Sequence, residues 1–319
     1  LIVYQDYLRR KLILSCAKTV SDSNDMTLGI SDLIDTHLSD IENIVNNTIE
    51  GETVHISQAA EESLSAYHER ERRAKEGISV GINTGLYKLD RALNGLQAGS
   101  LNVIAARPSM GKTSFMLNIA RNTAKSGHNV FIISLEMTKT SLVDRMIVAE
   151  SGITSNNYKA GRLSPDEYKY MLKGKERISA LPIEINDTAM MTVQQIKSQA
   201  KKLKRKNKCD IVLIDYLQLI DAPYMKDMTR NNEISEITRT LKIMAKELEL
   251  PVVLLSQLNR DVERRIDKIP ILSDLRDSGA IEQDADVVLF IHRDYYYNDQ
   301  ADKHKGIVRI AKNREWYTG

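Results

Sequence analysis

The segment Ala105–Ser114, which reads A-A-R-P-S-M-G-K-T-S, constrains the fold more than any other part of this chain. An apolar run of strand length, Leu101–Ala106, precedes it, and a stretch of helix formers that contains Phe115 and Leu117 follows it. A strand, a glycine-containing loop and a helix in this order form the setting that a phosphate-binding loop requires. An ordinary strand-to-helix turn that contains Gly-Lys-Thr is the alternative, but the strand, the loop, the lysine and the hydroxyl all agree with phosphate binding.

The residues of this loop have distinct predicted roles. Backbone N–H groups of the loop and of the helix N-terminus point at the phosphates in such an arrangement. Lys112 is placed to reach the β- and γ-phosphates, and the Thr113 hydroxyl is placed to ligate Mg²⁺. Ala106 stands where the general pattern has its first glycine. The sequence therefore predicts a site for ATP and Mg²⁺ whose nucleotide contacts come from Ala106, Arg107, Pro108, Ser109, Met110, Gly111, Lys112, Thr113 and Ser114.

Composition limits the classes of protein to which the chain can belong. Hydrophobic residues make up 42% and charged residues 28% of the 319 residues, which is typical of a soluble globular protein. The formal net charge of +2 argues neither for nor against nucleic acid as a partner. Cys16 and Cys209 lack metal-site spacing and weakly indicate a reducing cytoplasm. There is no apolar run of membrane-spanning length and no signal peptide. The chain begins at Leu1 inside a helical pattern and stops at Gly319 after a motif-like segment, as expected for a piece cut at both ends.

The residue pattern changes along the chain. Residues 1–50 read as helices, and residues 51–76 read as a charged helical linker with few apolar anchors. Glycines punctuate Gly77–Gly99, which we take as the start of a larger domain over residues 77–319. In that domain apolar runs alternate with helical stretches, which predicts an α/β fold with a mostly parallel sheet covered on both faces. The apolar runs are Leu101–Ala106, Val130–Leu135, Ile183–Ile185, Ile211–Ile214, Val252–Leu255, Val287–Ile291 and Ile307–Ala311.

Three of these runs end in side chains that suit phosphate chemistry. Ile211–Ile214 is followed by Asp215, and in phosphate-loop ATPases an aspartate at such a strand end helps to hold Mg²⁺. Glu136 follows another run and is expected near Lys112, because carboxyl ends of parallel strands share one edge of a sheet. A carboxylate there can deprotonate the attacking water, although a glutamate that merely begins a helix is the alternative. Gln257 follows a third run, and its amide suits a hydrogen bond to a γ-phosphate, although many strands end in glutamine.

Three polar segments leave two interpretations open. In Ser273–Asp286, Arg276 could contact a phosphate, or the segment could be a solvated loop. In Ile310–Arg314, two cations spaced by one residue could stabilise transition-state charge or lie on the surface. The basic run Lys201–Lys208 could form a nucleic-acid patch or a solvated helix end.

Considered as a set, these segments resemble the DnaB-type replicative DNA helicases over nearly the whole chain. Alanine in place of the first glycine is typical of that family, so Ala106 supports the resemblance although it departs from the general phosphate-loop pattern. The most specific stretches are A-R-P-S-M-G-K-T (106–113), S-L-E-M (134–137), D-Y-L-Q-L-I (215–220), E-I-S-E-I-T-R-T-L-K (233–242), S-Q-L-N-R-D-V-E-R-R (256–265), S-D-L-R-D-S-G-A-I-E-Q-D-A-D (273–286) and A-K-N-R (311–314).

The resemblance implies an ATP-hydrolysing DNA helicase with a RecA-like domain. Members of the family are hexameric rings that move along single-stranded DNA and unwind the duplex ahead. By this likeness, Lys112 and Thr113 bind phosphate and Mg²⁺, and Asp215 supports the metal. Glu136 is then the catalytic carboxylate, and Gln257 senses the γ-phosphate.

The resemblance also implies contacts beyond one chain. Lys312 and Arg314 would reach into the site of the neighbouring subunit, with Arg314 as the arginine finger. Arg276, Asp277 and Gly279 would lie in the loop that lines the central channel and holds the DNA backbone. The implied partners are single-stranded DNA, further copies in a homo-hexamer, a primase and a helicase loader, without a membrane. The implied location is the cytoplasm, at a bacterial nucleoid or in a phage-infected cell.

The resemblance has one local departure and two competing interpretations. The family usually has a glycine two residues after the finger arginine, where this chain has Trp316. The first 50 residues resemble the tail of the family's helical N-terminal domain followed by its linker helix. A RecA-like ATPase of another class, such as a recombinase or a regulatory ATPase, is the main alternative. A non-catalytic partner with the same fold is the other, and the presence of Lys112, Glu136 and Asp215 argues against it.

Overall fold

The apolar runs of the sequence form the strands of a single sheet. The computed structural model describes residues 2–24, 29–46, 54–77, 79–221, 229–275 and 279–314, and within these residues the sheet has seven strands. Each strand contains one of the runs, except that β2 ends one residue before Leu135, and this agreement confirms the predicted α/β class. The strands are β1 (Leu101–Ala106), β2 (Val130–Ser134), β3 (Ile183–Asn186), β4 (Ile211–Asp215), β5 (Val252–Gln257), β6 (Val287–His292) and β7 (Ile307–Asn313).

Helices occupy most of the remaining described sequence. Local signals set several of their ends; α8, for example, starts at a capping box in which Ser164 and Glu167 each accept a hydrogen bond from the other's backbone N–H, at 3.2 and 2.8 Å. The helices are α1 (Ile2–Asp22), α2 (Ile30–Asn46), α3 (Ile56–Lys75), α4 (Tyr87–Leu93), α5 (Lys112–Lys125), α6 (Lys139–Ser151), α7 (Ser155–Lys159), α8 (Pro165–Ser179), α9 (Val193–Arg205), α10 (Arg230–Leu248) and α11 (Gly279–Asp284).

The chain divides into two compact units, Leu1–Glu76 and Gly77–Gly319. The first unit holds α1, α2 and α3, so the helical N-terminal segment that the sequence predicted is present. Within this unit, the Thr19 hydroxyl contacts the His37 ring, and Lys18 forms an ion pair of 3.4 Å with Asp40. The division of residues 1–76 into two segments at residue 50 stays a prediction.

The sheet of the second unit is parallel except at one edge. Its strand order is β3-β2-β4-β5-β1-β6-β7, and β7 pairs antiparallel with β6 while the other neighbours are parallel. The connection from β6 to β7 contains a single turn of 3-10 helix, Asp294–Tyr296, among the described elements. A parallel crossover usually contains an α-helix, whereas the connection over residues 293–306 contains none, and the chain returns antiparallel beside β6.

Helices cover both faces of the sheet, as continuous apolar strands require. One buried cluster joins the sheet to α9 and α10 and includes Ile196, Ile237 and Leu241. The other joins the opposite face to α5 and α6 and includes Met116 and Leu142. The basic run at 201–208 spans the end of α9 and the loop before β4, which agrees with a helix end rather than a separate patch.

Parallel strand direction places the ends of several strands on one edge, which we call the carboxyl edge. Ala106 at the end of β1 is paired with Gln257 on β5, and Ser134 at the end of β2 is paired with Asp215 on β4. The segments that follow these strands are therefore neighbours in space. Across the described helices, none has the length and apolarity needed to cross a bilayer.

Candidate functional site

A cavity of about 500 Å³ lies at the carboxyl edge, beside the loop between β1 and α5. Ligands of open α/β sheets bind in crevices of this kind. Its lining residues come from the ends of β1, β2, β4, β5 and β6, from the start of α5 and from α6; they are Ala106, Arg107, Pro108, Ser109, Gly111, Lys112, Thr113, Ser114, Glu136, Met137, Arg145, Tyr216, Gln257 and Arg293.

The loop over residues 106–113, which we call the phosphate loop, has the backbone shape of an anion cradle. Ser109 and Gly111 have positive φ angles of 66° and 93°, and Gly111 precedes the first turn of α5. Glycine adopts such a φ without strain, which explains its use at this position. The free N–H groups at the N-terminus of α5 consequently open toward the cavity. Met110 departs from the predicted set, because its side chain is buried in the core at 2% exposure and only its backbone is available.

Lys112 supplies one of the positive charges that line the cavity. Its ammonium group lies 4.2 Å from the centre of the Tyr216 ring. Burial lowers the pKa of Lys112 from its ordinary value, and the negative charges of Asp215 and Glu136 oppose this shift. A partly desolvated cation interacts more strongly with a phosphate than a fully hydrated one.

Thr113 and Asp215 meet beneath the phosphate loop. The Thr113 hydroxyl donates a hydrogen bond of 2.7 Å to Oδ2 of Asp215, whose side chain is fully buried. Burial raises the pKa of the Asp215 carboxyl, while the Thr113 hydrogen bond and the charges of Lys112 and Arg145 oppose the rise. Among the described residues, the second oxygen of Asp215, Oδ1, is buried without a hydrogen-bond partner.

This donor set fits a magnesium ion. Mg²⁺ prefers oxygen ligands and usually keeps several waters while it binds phosphate oxygens and one or two protein groups. The Thr113 hydroxyl and the unpartnered Oδ1 of Asp215 provide such groups. In the described part of the chain, no cluster of three His, Cys, Asp or Glu side chains is ready to hold a metal by itself. A cation at this edge would therefore take most of its ligands from the nucleotide and from water.

Glu136 stands at the end of β2 and is exposed toward the cavity. The backbone around it is fixed: the Leu135 N–H donates to the Asp215 carbonyl at 2.7 Å, and the Ser134 hydroxyl donates to the Met137 carbonyl at 2.7 Å. The structure thus brings Glu136 to the same cavity as Lys112. An exposed carboxylate on a fixed strand end can accept a proton from water.

Gln257 also lines the cavity, and its backbone is held by Gln218, for which no role was predicted. The Gln257 N–H donates to Oε1 of Gln218 at 3.2 Å, and Nε2 of Gln218 donates to the Ser256 hydroxyl at 3.1 Å. Gln218 lies in a short 3-10 helix, Leu217–Leu219, directly after β4. Its place in the motif D-Y-L-Q-L-I was the one feature of the sequence that could have indicated a role for Gln218. Its partners, Ser256 and Gln257, are brought to it only by the tertiary structure.

Four more lining residues were not predicted from the sequence, namely Met137, Arg145, Tyr216 and Arg293. Arg145 comes from α6 and acts electrostatically on Asp215, while Arg293 follows β6 and Tyr216 lies under the Lys112 ammonium group. A lone arginine on a surface helix or after a strand has no motif around it. These residues become recognisable only when packing places them over the loop.

Lys312 and Arg314 lie at the other edge of the sheet, which we call the amino edge. The Lys312 ammonium group donates to the carbonyls of Ala285, at 2.7 Å, and Glu282. The Arg314 guanidinium donates to the Gln283 carbonyl and pairs with Asp286 at 3.5 Å. Burial, followed by the charge of Arg314, lowers the pKa of Lys312. The structure of one chain does not bring these two cations to the cavity.

The predicted DNA-binding residues are placed only in part. Gly279 begins α11, whereas Arg276 and Asp277 lie outside the described residues, as does Trp316. The segment before them ends in a buried Asp274 that accepts a paired hydrogen bond from the Arg265 guanidinium. Leu275, the last described residue before Arg276, forms an isolated antiparallel bridge with Leu258, which directly follows β5.

Comparisons with known proteins agree with this geometry. The DnaB-like helicase C terminal domain matches residues 81–319. The replicative DNA helicase DnaB of Geobacillus stearothermophilus is 45% identical over 248 residues, which cover 77% of this chain and 54% of that protein. A solved ATPase domain has a TM-score of 0.78 at 40% identity, and the match covers 84% of this chain and 94% of that one. A solved structure of a DnaB-like replicative helicase and its interactions with primase has a TM-score of 0.82 at 36% identity, with 100% of this chain and 74% of that chain covered.

These matches favour the helicase resemblance over a RecA-like ATPase of another class. The Geobacillus protein and the protein solved for its interactions with primase are both named as replicative helicases. The chain spans about half the length of the curated relatives that it matches. The family model covers the whole of the sheet and the phosphate loop. The chain belongs to the family of the DnaB-like helicase C-terminal domain.

Proposed function

We propose that this protein is an ATP-dependent replicative DNA helicase that translocates on single-stranded DNA and unwinds the duplex at a replication fork. The observation that carries the proposal is the cavity in which Lys112, Thr113, Asp215 and Glu136 converge on the phosphate loop. Family membership supplies the motor class, and the cavity supplies the groups that an ATPase of that class needs.

Nucleotide binding is the first part of the proposed activity. The N–H groups of the phosphate loop and the α5 N-terminus hold the phosphates, and Lys112 neutralises their charge. Thr113 and Asp215 would hold a Mg²⁺ ion, which would supply positive charge to offset the charge at the transferred group. Arg145 and Arg293, which line the same cavity, contribute positive potential toward the nucleotide.

Hydrolysis is the second part, and two side chains carry it. The exposed Glu136 carboxylate orients a water and accepts its proton, which activates the water for attack on the γ-phosphate. The Gln257 amide hydrogen-bonds to the γ-phosphate and so distinguishes ATP from ADP. Both groups follow fixed strands, which keeps them aligned with the phosphate loop.

Work on DNA is the third part and involves more than one chain. Arg276, Asp277 and Gly279 hold the phosphate backbone of single-stranded DNA in the channel of a homo-hexamer. Lys312 and Arg314 reach the nucleotide of the neighbouring copy, with Arg314 as arginine finger. The helicase in one of the solved structures described above interacts with primase, and we extend that partner, together with a loader, to this protein. The proposed location is the cytoplasm, at a nucleoid or in a phage-infected cell.

Residues 1–76 then serve the assembly rather than the chemistry. We assign residues 1–50 to the end of a helical N-terminal domain with its linker helix, and residues 51–76 to a charged linker. Residues 77–319 form the motor domain. This assignment rests on the helical first unit and on the match that starts at residue 81.

A strand-displacement assay tests the proposal. The intact natural protein is mixed with a forked DNA that carries single-stranded tails, with ATP and Mg²⁺ or with ADP. Strand separation with ATP and none with ADP is the expected result. ATP hydrolysis that DNA does not stimulate, with no strand separation, would contradict the helicase assignment and favour a regulatory ATPase.

The mode of DNA binding is tested by salt. Contacts to phosphates depend on counterion release and carry no base information. Arg276→Ala should weaken binding to single strands of every sequence alike and should reduce the salt slope by about one unit. A strong preference for one base sequence, or an unchanged slope in the variant, would contradict the channel-loop role.

A further inference from the structure

Arg107, the second residue of the phosphate loop, is bound to protein groups on the side of the cavity away from α5. Its Nε donates to Oε1 of Glu263 at 2.8 Å, and its Nη1 donates to the carbonyl of Leu258 at 2.9 Å. The side chain is only 9% exposed, whereas Glu263 is 37% exposed. A nearly buried guanidinium needs a partner for its charge, and Glu263 supplies it.

The same residues connect the phosphate loop to the strand end that bears Gln257. The Leu258 N–H donates to the Ala106 carbonyl at 3.2 Å, so Leu258 gives one hydrogen bond to the loop and receives another from Arg107. Leu258 directly follows Gln257, and Ala106 is paired with Gln257 in the sheet. This pair of bonds, together with the hydrogen bond from the Gln257 N–H to Gln218, holds the end of β5 against the phosphate loop.

Glu263 itself is placed by a well-anchored segment. It lies in a short 3-10 helix, Arg260–Arg264, in which Val262 is fully buried. The next residue after this helix, Arg265, forms a bidentate ion pair with the buried Asp274, at 2.9 and 2.5 Å. Such paired hydrogen bonds fix orientation as well as distance. Glu263 is thus a fixed point against which Arg107 is held.

We propose that Glu263 is a positioning residue for ATP hydrolysis, which acts through Arg107 to keep Gln257 in register with the phosphate loop. This inference rests on the proposed ATPase function of the same site. Glu263 is outside the set of cavity-lining residues and does not itself meet the nucleotide. If the Glu263 carboxylate is removed, Arg107 loses its charged partner. The Leu258 carbonyl then accepts its hydrogen bond from a donor that is no longer held rigidly. The sensing amide then shifts relative to the γ-phosphate while the backbone cradle remains.

The experiment compares three variants of the intact natural protein. Glu263→Ala removes the carboxylate, and Glu263→Gln keeps an acceptor for Nε of Arg107 but removes the charge. Asp261→Asn is the matched control, because Asp261 pairs with the 85% exposed Arg264 on the same short helix and does not contact Arg107. For each protein we would measure kcat and KM for ATP, the affinities for ADP and for a non-hydrolysable ATP analogue, and the thermal midpoint.

A positioning role gives a specific pattern. Glu263→Ala should lower kcat roughly 10- to 100-fold, the size of effect that a misplaced catalytic group produces. Its ADP affinity should equal that of the control, while its preference for the ATP analogue over ADP should fall. Glu263→Gln should lie between Glu263→Ala and wild type. Asp261→Asn should match wild type.

Three outcomes would overturn the inference. One is a kcat for Glu263→Ala equal to that of the control in a folded protein. Another is a parallel loss of kcat, ADP affinity and thermal midpoint, which would show a purely structural role. The third is tighter binding of both nucleotides with unchanged kcat, which would show that Glu263 only withholds Arg107 from the phosphates. A wild-type protein without ATPase activity would instead contradict the proposed function, so the two failures are distinguishable.

Discussion

The two edges of the sheet carry similar side chains but use them differently. At the carboxyl edge, Lys112 and Glu136 face a cavity of about 500 Å³ that is open to a ligand. At the amino edge, Lys312 and Arg314 are engaged by the backbone carbonyls at the end of α11 and by Asp286. Cations near the C-terminus of a helix are favourably placed against its orphan carbonyls. The side chains of the carboxyl edge are arranged for a small ligand, whereas the cations of the amino edge have their hydrogen-bond and ion-pair partners within the same chain.

This difference bears on the proposal that the ATPase site is shared between two copies of the chain. The Arg314 side chain is 49% exposed, so a second copy can reach it even while it contacts α11. If Arg314 serves as an arginine finger, its guanidinium leaves the Gln283 carbonyl and the Asp286 carboxylate, which lies 3.5 Å away, and binds a phosphate instead. A charged phosphate is the stronger partner, so the exchange is favourable. The amino edge of one copy then complements the carboxyl edge of the next.

The largest expected effect comes from the amino edge. Arg314→Ala should lower the ATP turnover of the assembled protein by about 10³- to 10⁵-fold, the contribution of an arginine finger supplied by a neighbour. Binding of ADP to the intact cavity should persist. Arg309→Ala is the matched control, because Arg309 is an exposed cation on β7, the strand that Arg314 follows. Steady-state ATPase rates of the two variants test this expectation. Full activity of Arg314→Ala would contradict the arginine-finger role. It would also indicate that Trp316 changes the direction of the turn after Arg314.

The next effect tests the chemistry of the carboxyl edge. Glu136→Gln keeps the shape of the side chain but cannot accept a proton from water. Turnover should fall by about 10²- to 10⁴-fold while ATP binding is retained. Equilibrium binding of labelled ATP and single-turnover hydrolysis separate the two quantities. Normal turnover, or loss of nucleotide binding, would assign Glu136 a structural role.

A smaller effect concerns binding at the same edge. Lys112→Ala removes a charge-assisted contact to phosphate and should weaken ATP binding by roughly 1.5–3 kcal/mol. Lys125→Ala, in the last turn of the same helix α5, is the control and should bind ATP normally. Calorimetric titration measures both. Hydrolysis by Lys112→Ala at the wild-type rate would show that the phosphate site lies elsewhere.

The smallest expected effect is a change in the free energy of unfolding that comes from the amino edge and leaves the ADP affinity at the carboxyl edge unchanged. Asp286 accepts hydrogen bonds from Lys242 at 2.6 Å and from the Leu101 N–H at 2.7 Å, and the side chains of Asp286 and Lys242 are 15% and 16% exposed. Asp286→Asn keeps an acceptor but loses the charge, so it should lower the free energy of unfolding by about 1 kcal/mol. ADP affinity at the opposite edge should not change. Denaturant titration with and without ADP checks both expectations, and a loss of ADP affinity would show that the edges are coupled within one copy.

The sequence was most informative where function depends on local order. The strands follow from continuous apolar runs, and the phosphate loop follows from a strand, a glycine and a helix in succession. Asp215 and Glu136 could be placed beside Lys112 because parallel strands align their ends. These inferences need only short-range pattern and strand direction.

The sequence was least informative where partners come from distant segments. The antiparallel pairing of β7 depends on the connection after β6, which has no motif of its own. The contacts of Gln218 and Arg145 arise from packing between elements that are far apart in sequence. From the sequence alone, Lys312 and Arg314 could be either surface cations or catalytic groups. Their partners within one chain differ from those that we propose in an assembly, and no sequence pattern distinguishes the two.

Mixing two inactive variants tests most directly whether the two edges complete one site between copies. Arg314→Ala and Lys112→Ala, each nearly inactive alone, are combined at a series of ratios after an independent check that they assemble together. Our account predicts that ATP hydrolysis returns in the mixture, because some interfaces then join an intact Lys112 cavity to an intact Arg314 from the neighbouring copy. Verified mixed assemblies that hydrolyse no ATP at any ratio would contradict a site shared between two copies.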